Sequence, residues 1–257
     1  MITGRSGAGA LRNVTGLSGA ARLHTYAAEV AAATRAGLRN GAVARPGAVS
    51  VAGGRWQTAR MISVQSKADL QRYLRSARET LLWKLEGLGE YDVRRPLTPT
   101  GTNLLGLVKH AAGVELGYFG ETFGRPFPGT PHAFSDDAEA NEDMWARADE
   151  SREDVLDLYR RVAEHADATI AALPLETVGR VRWWPEDRAR VTLHQVLVHV
   201  IADLQRHAGH ADVVRELIDG AVGLQAGNDN MPPEDAAWWE GYRQRLEQAA
   251  REAQAAG

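Results

Sequence analysis

Four long stretches of this chain bring apolar residues back every three or four positions, with prolines between the stretches, and that period dictates helices with one apolar face each. The first is expected from about Lys67 to Leu88, with Ser66 as N-cap, Leu70, Leu74, Ala77, Leu81, Leu82 and Leu85 on the apolar face, and Gly87 and Gly89 ending it. The second runs from about Asn103 to Thr122 behind a proline-punctuated turn, with Thr100 or Thr102 placed to cap it, and contains His110. A third spans about Ser151 to Leu173 on Val155, Leu158, Tyr159, Val162, Ala166 and Ile170, and Pro174 stops it. The fourth covers about Thr192 to Asp219 and ends at Gly220. A last amphipathic helix, about Pro233 to Ala255, comes after a polar linker and is started by Asp235 or the Pro232-Pro233 pair; its Trp238, Trp239, Tyr242 and Leu246 predict a docking face. Between the third and fourth helices, Val178 to Arg190 is expected as a short extended segment or a loop, with Trp183 and Trp184 as packing residues or an aromatic wall. The expected fold is therefore all-α: a four-helix bundle with an additional C-terminal helix.

Composition narrows the chemistry. The 257 residues suffice for a substantial core, and a net charge of −3 gives no reason to expect nucleic acid or another polyanion as partner. With no cysteine, disulfides, thiolate zinc sites and cysteine nucleophiles are excluded, so any metal must be held by His, Asp or Glu. No apolar run approaches the roughly 18 residues that a membrane helix needs, which predicts a cytoplasmic protein with no membrane partner. Residues 1–60 differ from the rest: eight arginines stand against one acid, Glu29, in a Gly- and Ala-rich stretch with no sustained apolar period. They are expected to be a disordered or non-native leader, similar in composition to an organellar transit peptide or to a translated upstream region. On the second view Met61 is the start, and residues 61–257 form the bundle domain.

The fourth helix carries the chemistry. His199, Asp203, His207 and His210 recur at steps of four, four and three, which puts four metal-ligating side chains within about 80° of helical arc. A polar stripe in an apolar segment needs partners, because an unpaired buried imidazole or carboxylate costs several kcal/mol, and a divalent ion is one such partner. On the second helix His110 lies on the face of Leu107 and Val114, and bundles build metal sites from inward residues of facing helices. Asp203 and His207, four apart, can grip one ion with His110; His207 with His210, three apart, are also compatible with one, and spacing favours the former. His199 and His210 then act as supporting or alternative ligands. Glu115 points away from His110 and is expected in a salt bridge, whereas Glu121 and Asn103 share its face and could line a pocket mouth; Arg188 and Arg190 are candidates to meet a carboxylate-bearing ligand.

Two runs, Leu107 to Glu115 and Asp203 to Asp212, with Arg215-Glu216, Asp219-Gly220 and the tail Met231 to Trp239, resemble the DinB/YfiT-like superfamily of four-helix-bundle metalloenzymes, in particular its mini-circle-protein-like branch of unknown function. The resemblance covers about Ile62 to Gly257. It implies a divalent ion on His110, Asp203 and His207, where Asp203 stands in place of the more usual Glu or His; the donor set suits Zn, Ni, Fe and Mn, with Zn or Ni expected. It also implies a small-molecule substrate and transferase or isomerase chemistry with a low-molecular-weight thiol of the mycothiol type. Two other functions fit the residues: a metal-dependent hydrolase, and a non-catalytic helical binding or stress-associated protein whose polar seam only fixes helix register. A homodimer is a further expectation, since bundles with a Trp-bearing terminal helix often dimerise.

Overall fold

A computed structural model describes residues 51–257, with side chains from Val64 onward. The expected leader thus lies, up to residue 50, outside the described residues, and Arg55–Gly257 form one compact unit. Among the described residues six helices make up nearly all of the regular structure: α1 (Val51–Trp83), a short α2 (Glu90–Arg94), α3 (Leu104–Glu115), α4 (Arg152–Ala172), α5 (Leu193–Asp219) and α6 (Ala236–Ala256). Two three-residue strands, β1 (Val178–Arg180) and β2 (Arg190–Thr192), pair antiparallel between α4 and α5. The fold is the expected all-α bundle, built from α1, α3, α4 and α5.

The ends of these helices follow local chemistry. Helix α1 starts well before Lys67, and Ser66 lies inside it instead of capping it. Residues 55–66 contain no proline and no glycine, and a helix nucleated downstream propagates through such residues without an apolar period of its own. Its C-terminal end comes at Trp83, before the chain turns through Gly87, whose φ of 75° suits glycine, into α2. For α3 the cap is Asn103, not either threonine: its Oδ1 accepts from the Gly106 N–H at 2.7 Å, while its amide donates to Gly101 and Met144 carbonyls. Ser151 caps α4, and Thr192 with Gln195 forms a full capping box on α5. Helix α3 does not continue as α-helix to Thr122. It opens into a π-turn at Leu116–Gly120 and then a 3-10 turn at Glu121–Phe123.

The core is the interior of the four long helices, with Leu74, Leu81, Leu105, Val108, Phe119, Tyr159, Val162, Ile170, Val196, Val200 and Leu204 all essentially inaccessible. Buried charges tie the helices together. Glu115 is completely buried and accepts from Arg78 of α1 at 2.9 and 3.1 Å and from the Tyr159 hydroxyl of α4 at 3.2 Å, while Arg78 reaches Asp167 at 2.8 Å. This is the salt-bridging role expected for Glu115. Lys84 pairs with Asp212 of α5 at 2.7 Å, and Arg215 donates to the Lys84 and Glu86 carbonyls, which have no helical partner beyond the end of α1. Among the described residues no helix is long and apolar enough to cross a membrane.

The terminal helix differs from expectation. Its extent and its Asp235 cap are as read from the sequence, but none of its residues is buried, so Trp238 and Trp239 do not dock it onto the bundle core. They pack instead on each other and on Tyr242.

Candidate metal centre and its pocket

Helices α3 and α5 pack side by side and bring His110 to face Asp203 and His207, so that one ligand atom from each lies within 4.8 Å of the other two. The His110 and His207 rings meet edge to face at 4.8 Å, and His207 Nε2 is 3.8 Å from Asp203 Oδ1, too far for a hydrogen bond. Two atoms of the group, Asp203 Oδ2 and His207 Nδ1, are buried with no hydrogen-bond partner. Each such orphan costs about 1–3 kcal/mol unless something fills its lone pair, and a cation fits that need with the donor set of two imidazoles and a carboxylate. Burial and the neighbouring His110 depress the pKa of His207 despite Asp203, which keeps its imidazole neutral, the form a ligand must have.

The other residues of the stripe go elsewhere. His210 is exposed, its ring 5.4 Å from that of His207. His199 turns to the aromatic side of the site, 4.8 Å from the Tyr118 ring and 5.1 Å from Trp184. Neither belongs to the converging group.

Several residues of the site carry no mark in the sequence. Asp143, on a 3-10 turn at the end of the acidic loop formed by residues 135–143, accepts the His110 Nδ1–H at 2.6 Å, and this contact holds its own carboxyl below the usual range. A carboxylate on Nδ1 fixes the tautomer and leaves the His110 Nε2 lone pair as the free one. Above the group opens a cavity of about 430 Å³ whose lining includes His110, Asp203, Asp143, Tyr118, Trp183 and His199. Two glycines let its walls approach α3: a Cβ on Gly113 would stand 2.7 Å from the Phe134 ring, and one on Gly117 would stand 2.8 Å from Trp183. Gly117 lies in the π-turn, a distortion common at functional sites, and the next residue, Tyr118, accepts from Trp184 Nε1 at 3.0 Å. Burial and the Asp203 charge raise the Tyr118 pKa, so its hydroxyl stays protonated.

At the mouth, Arg182 bridges Glu121 at 2.9 Å and Asp136 at 2.7 Å. Glu121 thus lines the pocket as expected, whereas Asn103 is a helix cap. The arginine at the site is Arg182; Arg188 and Arg190 do not line it. The Trp183-Trp184 segment is the loop of the β1–β2 hairpin, one tryptophan forming pocket wall and the other packing behind it.

A helical bundle with a His-Asp-His group between two facing helices defines a DinB-like protein. Residues 69–220, more than half the chain, match the family model described as mycothiol-S-transferase, and the chain belongs to that DinB-like family. The match spans α3, α4, α5 and all three members of the group; the tail with α6 lies beyond it. No curated protein matches the chain.

Proposed function

We propose that this protein is a divalent-metal-dependent S-transferase that joins a mycothiol-type thiol to an electrophilic small molecule, with Zn or Ni on His110, Asp203 and His207. The observation that carries the reading is the pair of orphaned atoms, Asp203 Oδ2 and His207 Nδ1, within a three-ligand group at a pocket. A hydrogen-bonded seam that served only helix register would satisfy its own atoms, so these orphans favour a metal over a structural seam. The family supports the thiol.

His110, Asp203 and His207 would hold the ion, and the chemistry it would supply is to lower the pKa of a thiol bound beside them. The transfer forms a carbon–sulfur bond as the leaving group departs with its electron pair, and the thiol proton passes to a base. His199, on the wall of the same cavity, is the side chain assigned to take that proton. Asp143 keeps His110 in its ligating tautomer. Trp183 and Phe134 supply apolar wall, and the protonated Tyr118 hydroxyl supplies a donor that orients the substrate. The chain has no cysteine, so the sulfur nucleophile comes from the bound thiol.

The test is conjugation of mycothiol to a bimane halide by metal-loaded protein, with the product identified by its mass. The expected result is thioether formation faster than the uncatalysed reaction of the free thiol, with the excess rate lost when the metal is removed. Turnover of ester or amide substrates without thiol would instead establish a hydrolase, and no turnover by metal-loaded protein with any thiol would overturn the transferase assignment.

A further inference from the structure

Helix α6 carries a heptad seam that nothing in the described chain covers. Trp239, Tyr242, Leu246, Ala249, Ala253 and Ala256 succeed one another at steps of three, four, three, four and three, the a and d positions of a coiled coil. None of the helix is buried; Tyr242 is 38% and Leu246 54% exposed. The aromatic end is already ordered by its own contacts: Trp238 stacks on Tyr242 with ring centroids 5.2 Å apart, and Arg245 lies over both rings. A partner therefore meets a preformed surface and pays little in side-chain ordering.

We infer that the partner is α6 of a second copy of this chain, paired antiparallel. The seam is large at its N-terminal end and small at its C-terminal end, and reversing one copy sets Trp239 against Ala256, Tyr242 against Ala253 and Leu246 against Ala249 of the other, so helix spacing stays even. A parallel pair would stack tryptophan on tryptophan at one end and alanine on alanine at the other. Charge selects the same orientation. Arg245 and Glu252 occupy successive g positions; antiparallel pairing brings each beside its opposite on the other copy, whereas parallel pairing sets Arg245 beside Ala250. The linker from Gly220 to Asp235 bends at Gly223, Gly227 and Asn230, all at positive φ, and separates the seam from the end of α5. This pairing is independent of the metal and of the reaction.

Sedimentation velocity of the full chain over a concentration series tests it, with circular dichroism as the check that helix content is retained. The expected result is association to twice the monomer mass. Arg245→Glu alone and Glu252→Arg alone each weaken association about tenfold or more, and combining them restores it. Because the chain lacks cysteine, Ala249→Cys gives oxidised dimers cleanly, while Ala253→Cys does not, its two copies being about 17 Å apart along the antiparallel axis. A chain that stays monomeric at all concentrations, a double charge swap that fails to restore association, or Ala253→Cys crosslinking as readily as Ala249→Cys would each overturn the inference.

Discussion

At the scale of single residues, the proposed metal centre rests on His110, Asp203 and His207 and on the carboxylate behind them. Asp143→Asn removes the anion that holds the His110 tautomer and is expected to weaken metal affinity about 10–100-fold with the fold intact, measured by chelator competition. The depressed pKa of His207 also has a sign. In metal-free protein the unfolded chain binds a proton at this histidine near pH 6.5, the folded chain only at lower pH, so stability falls as pH drops below about 6.5. Urea midpoints between pH 7.5 and 5.5 measure the loss, which shrinks in His207→Gln. The converging group was legible in the sequence because a four-residue step on one helix has a fixed angular meaning, and His110 is the polar residue on the facing apolar stripe. Asp143, Tyr118 and Arg182 were not legible. Each reaches the site from an irregular segment, the acidic loop, the π-turn or the hairpin loop, where no period relates sequence position to direction in space.

At the scale of elements, the helices were legible almost to their caps wherever an N-cap residue or a positive-φ glycine marked the end, as at Ser151, Thr192, Gly220 and Asp235. They were misjudged where the ending is set by tertiary contact. Asn103 wins the α3 cap because its amide also anchors Met144, and the π-turn gives α3 a change of step that a count of 100° per residue misses. The buried ion pair is the element-scale brace. Glu115→Ala leaves Arg78 buried without its main partner and is expected to lower unfolding free energy by about 3–5 kcal/mol; Glu240→Ala on exposed α6 is expected to leave it unchanged, both read from urea denaturation. Gly113→Val pushes against the Phe134 ring, so KM for the electrophile is expected to rise while metal content holds.

At the scale of the whole molecule, the protein is a DinB-like bundle whose core positions two helices so that their inward polar residues meet, with loops and a hairpin closing a pocket over the meeting point and a solvent-facing helix appended beyond it. The class of fold came from the apolar period, whereas the docking face expected on α6 is not buried on the core, because an amphipathic pattern by itself does not say what covers it. The central claim is that His110, Asp203 and His207 together hold one divalent ion. Calorimetric titration of Zn or Ni into metal-free full-length protein measures this most directly. One ion per chain is expected, with high-affinity binding lost in His110→Ala, Asp203→Ala and His207→Ala and kept in His210→Ala; binding that is absent, or that is unchanged by the first three replacements, would contradict the claim.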